Sequence, residues 1–214
     1  ARAIADTAAR VGADGVELDV RIRPSGELVV RHDALSATVE APAFAEILDA
    51  CGDRMLVNVE IKNLASDGGF DPTMTIVERT IDELRRRGAD RRRRWLISSF
   101  SWATIEACRR AAPEIPTAWL TMTVDERSIA RVAAAGHAAI HPWERVVDAA
   151  VVERCHAAGL AVNVWTCNDP DRLVDLAAIG VNGVCTDVPG VARTALGRSL
   201  NPAAARPAWS GTPA

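Results

Sequence analysis

Short apolar runs rich in Val, Ile and Leu alternate with longer stretches whose apolar residues recur at helical spacing, and this beat runs to about residue 197. It predicts a helix over 2–12 ending at Gly12, a strand from Gly15 to Val20, a turn at Arg23-Pro24-Ser25-Gly26 and a short returning strand from Glu27 to Arg31. Further strands are expected at Met55 to Ile61, Trp95 to Ser98, Thr117 to Leu120, Ala138 to His141, Ala161 to Trp165 and Gly183 to Thr186. Helices fill the gaps over 42–51, 73–87, 101–111, 124–135, 147–158, from about 170, and over 189–197; the sixth starts on an Asp169 cap followed by Pro170. Repeated βα units with apolar strands imply a parallel sheet covered by helices. Seven such strands come close to a TIM (β/α)8 barrel, with the first strand missing from this chain; an open doubly wound sheet is the rival.

In barrels, chemistry collects at the carboxyl ends of the strands. The first strand predicted here ends Glu17-Leu18-Asp19, and alternation puts both acids on one face with Leu18 on the other. The strand ending Glu60-Ile61-Lys62 repeats that i, i+2 pattern. Inward carboxylates are costly unless neutralised, and three oxygen donors together suit a divalent ion, Mg²⁺ or Ca²⁺, better than zinc. His32 follows the returning strand in Val29-Val30-Arg31-His32-Asp33, where it would reach the same rim beside an acid able to orient it. There it suits a general acid for a departing alkoxide. His137, His141 and His156 lack such a setting, and His141 at a strand end reads as structural. Phe100, just past the Ser98-Ser99 strand end, and Trp165, at another strand end, are the aromatic candidates for substrate contact, although Trp165 reads equally well as core.

Composition narrows the picture. With 214 residues, a net charge of −3 and a pI near 5.8, nothing favours nucleic acid or an anionic membrane as partner. No apolar run is long enough for stable membrane insertion. The run Arg85 to Arg87 and Arg91 to Arg94 reads as a solvated helix end and loop. Five scattered cysteines without a C-x-x-C pair read as reduced thiols, and the cytoplasm is the expected location, with an export signal ahead of Ala1 left open. Lys62 is the only lysine in a chain that otherwise uses arginine, so its compact ammonium has a specific use.

The segments G-A-D-G-V-E-L-D-V, G-E-L-V-V-R-H-D, V-N-V-E-I-K, L-I-S-S-F-S, V-N-V-W-T-C-N-D-P and G-V-C-T-D-V-P, in this order, resemble the glycerophosphodiester phosphodiesterase family. The resemblance implies a barrel enzyme of the phospholipase-C-like phosphodiesterase type that hydrolyses small glycerophosphodiesters to sn-glycerol 3-phosphate and an alcohol. It implies Glu17, Asp19 and Glu60 as metal ligands, His32 as one of two catalytic histidines, Lys62 on the phosphate and Trp165 beside the glycerol moiety. Family members open with a His-Arg-Gly strand end and a Glu-Asn-Thr segment that this sequence lacks. The expectation is therefore a barrel domain over 1–200 without its first strand, impaired in activity and open at a seam, followed by a flexible tail over 201–214. Two other readings compete: a phospholipase D-like lyase leaving a cyclic phosphate, and an inactive barrel that only binds metal and phosphate. Short loops and the lack of an exposed aromatic at the rim weigh against a lipid-specialised form.

Overall fold

The computed structural model describes residue 8 and residues 10–36, 39–52, 55–88 and 94–197. Most of the helix expected over 2–12, Arg91 to Arg93 and the tail over 201–214 lie outside these residues. The chain divides into two compact units, one of residues 1–7 and 15–117 and the other of residues 8–14 and 118–214.

In the first unit, β1 (Gly15–Ile22) is central. It pairs antiparallel with β2 (Leu28–Val30) on one side and parallel with β3 (Leu56–Ile61) on the other, and β3 pairs parallel with β4 (Trp95–Ser99). Helices α1 (Phe44–Cys51), α2 (Thr75–Arg86) and α3 (Trp102–Ala111) follow β2, β3 and β4. Leu18, Val20, Val57, Val59 and Ile61 are buried together with Phe44, Ile47, Ile76, Ile81 and Leu84 from the helices. The hairpin between β1 and β2 turns at Gly26, whose φ of +85° suits glycine. Gly15 is required for another reason: a Cβ there would stand 2.6 Å from the Leu56 carbonyl oxygen, so β1 and β3 could not approach as they do.

Polar residues fix the helix starts. Ser101 accepts from Thr104 N–H at 3.2 Å to cap α3. For α2 the cap lies further out: Asp71 accepts from Ile76 N–H at 2.8 Å, and Asn63 brackets Asp71 by donating to its carbonyl at 3.0 Å and accepting from its N–H at 2.7 Å. The arginines at the end of α2 are not merely solvated. Arg87 pairs with Asp49 at 2.7 Å and donates to the Ala45 carbonyl at 2.8 Å, tying α2 to α1. A long stem with a forked head makes that crossing where a short side chain would not reach.

The second unit continues the same beat. It runs β5 (Thr117–Thr121), α4 (Glu126–Ala134), β6 (Ala139–Pro142), α5 (Ala149–Ala157), β7 (Ala161–Val164), α6 (Pro170–Ala178), β8 (Gly183–Val184) and α7 (Pro189–Ala195), with β5 to β8 paired parallel in order. Asp125, Asp148 and Asp169 cap α4, α5 and α6, and Pro170 opens α6 as expected. Two details differ from the sequence expectation. β8 ends at Val184, although Cys185 still bonds to Val164 and Cys167, and beyond it Thr186 Oγ1 and Asp187 N–H both turn to Asn168 Oδ1, each at 2.9 Å. A 3₁₀ turn at Glu144–Val146 was not anticipated; Arg172 holds it by donating to the Glu144 and Val147 carbonyls at 2.6 and 2.7 Å.

Candidate active site

Strand alternation builds the site in the first unit. Glu17, Asp19 and Arg21 share one face of β1, and Asn58, Glu60 and then Lys62 share the matching face of β3. The parallel register sets Glu17 opposite Asn58 and Asp19 opposite Glu60, and the Lys62 N–H extends the ladder by donating to Val20 at 3.0 Å. Each of the three carboxylates offers an oxygen within 4.8 Å of the others. Lys62 Nζ spans two of them, 2.9 Å from Glu60 and 3.3 Å from Asp19.

The electrostatics of this group are unbalanced. Burial pushes the Glu17 carboxyl well above the usual carboxylate range, and repulsion from Asp19 and Glu60 pushes the same way against the pull of Lys62. Burial also raises Glu60, which is 8% exposed, with Lys62 opposing. For Lys62, burial works against the charge, but Glu60 and Asp19 outweigh it, and the ammonium titrates above its ordinary value. Glu17 Oε1 is buried without a hydrogen-bond partner among the described residues, and so is Asn58 Oδ1 across from it. One ammonium thus pairs with two of the three acids and leaves a Glu17 oxygen orphaned. A divalent cation held by Glu17, Asp19 and Glu60 fits this donor set.

The β1–β2 hairpin returns His32 to the same end. Val20 faces Val30 in the antiparallel register, and Arg31 N–H donates to the Asp19 carbonyl at 2.8 Å, so the next residue stands beside the acids. The His32 side chain is 76% exposed, and its Nδ1 lies 3.1 Å from Asp33 Oδ1. That bond holds the Asp33 carboxyl below its usual range. Phe100 directly follows β4, where Ser99 Oγ donates to the Ile61 carbonyl at 2.7 Å and accepts from Ser101 N–H at 3.1 Å, bracing the turn next to Lys62.

Trp165 belongs to the second unit, one residue beyond β7. Its Nε1–H donates to the His141 carbonyl at 2.7 Å, which uses its only donor and leaves the ring as an apolar surface. His141 itself is buried, and burial lowers its pKa to about 3. Its Nε2 lies 2.9 Å from Asn163 Nδ2, a contact that requires an unprotonated acceptor. An imidazole depressed from its unfolded value of ~6.5 favours the folded state above that value and loses this advantage as the pH falls towards 3. Stability is therefore expected to decline below pH ~6.5 by up to ~1.4 kcal/mol per pH unit from this residue. Urea unfolding of His141→Gln should show a flatter acid limb; an unaltered slope would refute the assignment. The four buried cysteines are unsuited to nucleophilic work, since burial raises Cys51 and Cys167 and lifts Cys108 to about 12 and Cys155 to about 11.

Sequence reasoning missed Arg21, Asn58 and Asn63. The first two continue the alternation that marked the acids, at 17, 19, 21 and 58, 60, 62, so the signal was present. Asn63 left none, because its partner Asp71 is eight residues on. One expectation is corrected: the thirteen-residue stretch between β3 and α2 is not short, and its Asp67 turn brings up Phe70, 38% exposed.

Clustered strand-end carboxylates beside an ammonium and an exposed histidine define a class, hydrolases of anionic esters on a βα scaffold. The model of the Glycerophosphoryl diester phosphodiesterase family matches residues 36–191. The chain belongs to that family, whose members are phosphoric diester hydrolases. Glu60, Lys62, Phe100 and Trp165 fall inside the matched region, and Glu17, Asp19 and His32 precede it. A glycerophosphodiester phosphodiesterase of Caldanaerobacter subterraneus subsp. tengcongensis is 26% identical over 217 residues, covering 85% of each chain. An Oleispira antarctica phosphodiesterase, solved in complex with the product sn-glycerol-3-phosphate, superposes with a TM-score of 0.81 at 20% identity over 92% of this chain and 90% of its own. A glycerophosphodiester phosphodiesterase from Parabacteroides distasonis gives 0.78 at 19% identity over 92% and 89%. These likenesses show the fold, which is the TIM-barrel type of that family. Among the described residues no helix is long and apolar enough to cross a membrane.

Proposed function

We propose that this protein hydrolyses glycerophosphodiesters to sn-glycerol 3-phosphate and an alcohol, with a divalent ion, Mg²⁺ or Ca²⁺, held by Glu17, Asp19 and Glu60. The observation that carries the reading is the orphaned, buried Glu17 oxygen in a cluster of three acids of which one lysine pairs with two. Such an ion, when bound, supplies Lewis-acid stabilisation of charge on the phosphoryl oxygens.

Water attacks phosphorus and gives up a proton as the P–O bond to the alcohol breaks, and the residues of this chain bind the diester and serve the leaving group. Lys62 pairs its ammonium with a non-bridging oxygen of the diester and stabilises charge growing there. Asp33 holds Nδ1 of His32, which leaves Nε2 to deliver a proton to the departing alkoxide. The Trp165 ring offers an apolar wall to the glycerol carbons, and Phe100 a second aromatic contact at the end of β4. The barrel residues to about 200 act as one catalytic domain.

The test is release of sn-glycerol 3-phosphate from glycerophosphocholine by the full-length protein. Activity is expected to vanish with EDTA and return with Mg²⁺ or Ca²⁺. Turnover that persists after exhaustive chelation would overturn the metal assignment, and no turnover with either ion would overturn the enzymatic one. Phosphorus NMR of the products checks the reaction type, because a cyclic phosphate end product would replace hydrolysis with a lyase reaction.

A further inference from the structure

Arg21 is the third residue on the polar face of β1, yet none of the roles above uses it. It is 6% exposed, an unusual place for a guanidinium. Its Nε and Nη2 both donate to one acceptor, the backbone carbonyl of His32, at 3.2 and 2.9 Å. Nη2 also lies 3.6 Å from Asp67 Oδ2, on the loop that leaves β3 just after Lys62. Burying an arginine against a carboxylate at that distance is weak support for stability, since desolvation offsets most of the attraction. The arrangement does something more specific. A planar fork gripping one carbonyl resists sideways movement of that peptide, because a shift weakens both bonds together.

That grip matters because the His32 ring is mostly in solvent and is tethered through its own backbone. We infer that Arg21 is a positioning residue for His32: its guanidinium clamps the His32 carbonyl and, through Asp67, joins the histidine hairpin to the loop behind Lys62. The proton donor and the phosphate-binding ammonium are thereby held at a fixed spacing. This inference rests on the proposed role of His32 as general acid.

A double-mutant cycle in the full-length protein tests it, with glycerophosphocholine as substrate and Mg²⁺ saturating. Arg21→Met keeps the apolar stem and removes the fork. It is expected to lower kcat about 10²-fold, the scale of loss from misplacing a reacting group by about 1 Å, with KM and the Mg²⁺ midpoint unchanged. In a His32→Ala background the same change should cost nothing further, because there is no imidazole left to position. Equal losses in both backgrounds, or unaltered kcat in a folded Arg21→Met, would overturn the inference. If Arg21→Met does not fold, Asp67→Asn removes the tie to the Lys62 loop and leaves the fork in place. A fall in kcat confined to the His32 background then supports the coupling, and no fall overturns it. Full turnover in His32→Ala alone would instead remove the acid assignment, and this inference with it.

Discussion

His32→Ala is expected to lower kcat for glycerophosphodiester hydrolysis about 10²–10⁴-fold, the usual range for losing a positioned proton donor. The side chain is 76% exposed and bonds to the equally exposed Asp33, so its removal should leave the thermal midpoint where it was. That separation is what makes the variant informative: a large kinetic loss without a stability loss belongs to chemistry and not to folding. KM should change little, because substrate binding falls to Lys62 and the metal site. A diester with an activated leaving group, such as a nitrophenolate that needs no proton, should recover most of the lost rate. Unchanged turnover on the natural diester, or an equal loss on both substrates, would sink the role.

The sequence was informative about some levels of the structure and silent about others, for physical reasons. Strand periodicity located Glu17, Asp19, Glu60 and Lys62 because a period of two leaves no choice of face once the apolar partners Leu18 and Ile61 are buried. Caps such as Asp169 before Pro170 were legible because they act within one turn of their own helix. His32 could be set near the rim because a four-residue turn fixes the return of β2. The partners of contacts closed across loops and between elements left no local trace, even where, as at Arg21, strand alternation placed the residue itself. Arg21 reaches a carbonyl eleven residues away, Asn63 clamps Asp71 across a loop, and Arg87 crosses to Asp49 on another helix. The metal reading gained from geometry in the same way. Sequence supplied three acids, while the 4.8 Å clustering and the unpartnered Glu17 oxygen depend on the register between β1 and β3.

Lys62→Met is expected to act on two quantities at once. Turnover should fall about 10²–10³-fold, the scale of losing one donor to a charged oxygen in the transition state. In metal-free protein stability should fall too, because Asp19 and Glu60 lose their shared cation while remaining mostly buried. Breaking a buried pair by removing one partner costs ~3–5 kcal/mol, and partial exposure of all three groups places this case at or below the lower end. The two effects separate with added Mg²⁺ or Ca²⁺. An ion bound to the folded state alone stabilises it, and the variant's less neutralised carboxylates should bind it with greater effect on the melting temperature than those of the unsubstituted protein. Lost stability should therefore return with metal, while lost turnover should not. Lys62→Arg should keep the fold and still fail to restore the rate, since a planar guanidinium does not present a compact charge to both a carboxylate pair and a phosphate. Full turnover in either variant would remove Lys62 from the phosphate site. A melting temperature that rises equally with metal in Lys62→Met and in the unsubstituted chain would show that Lys62 and the ion do not act on the same carboxylates.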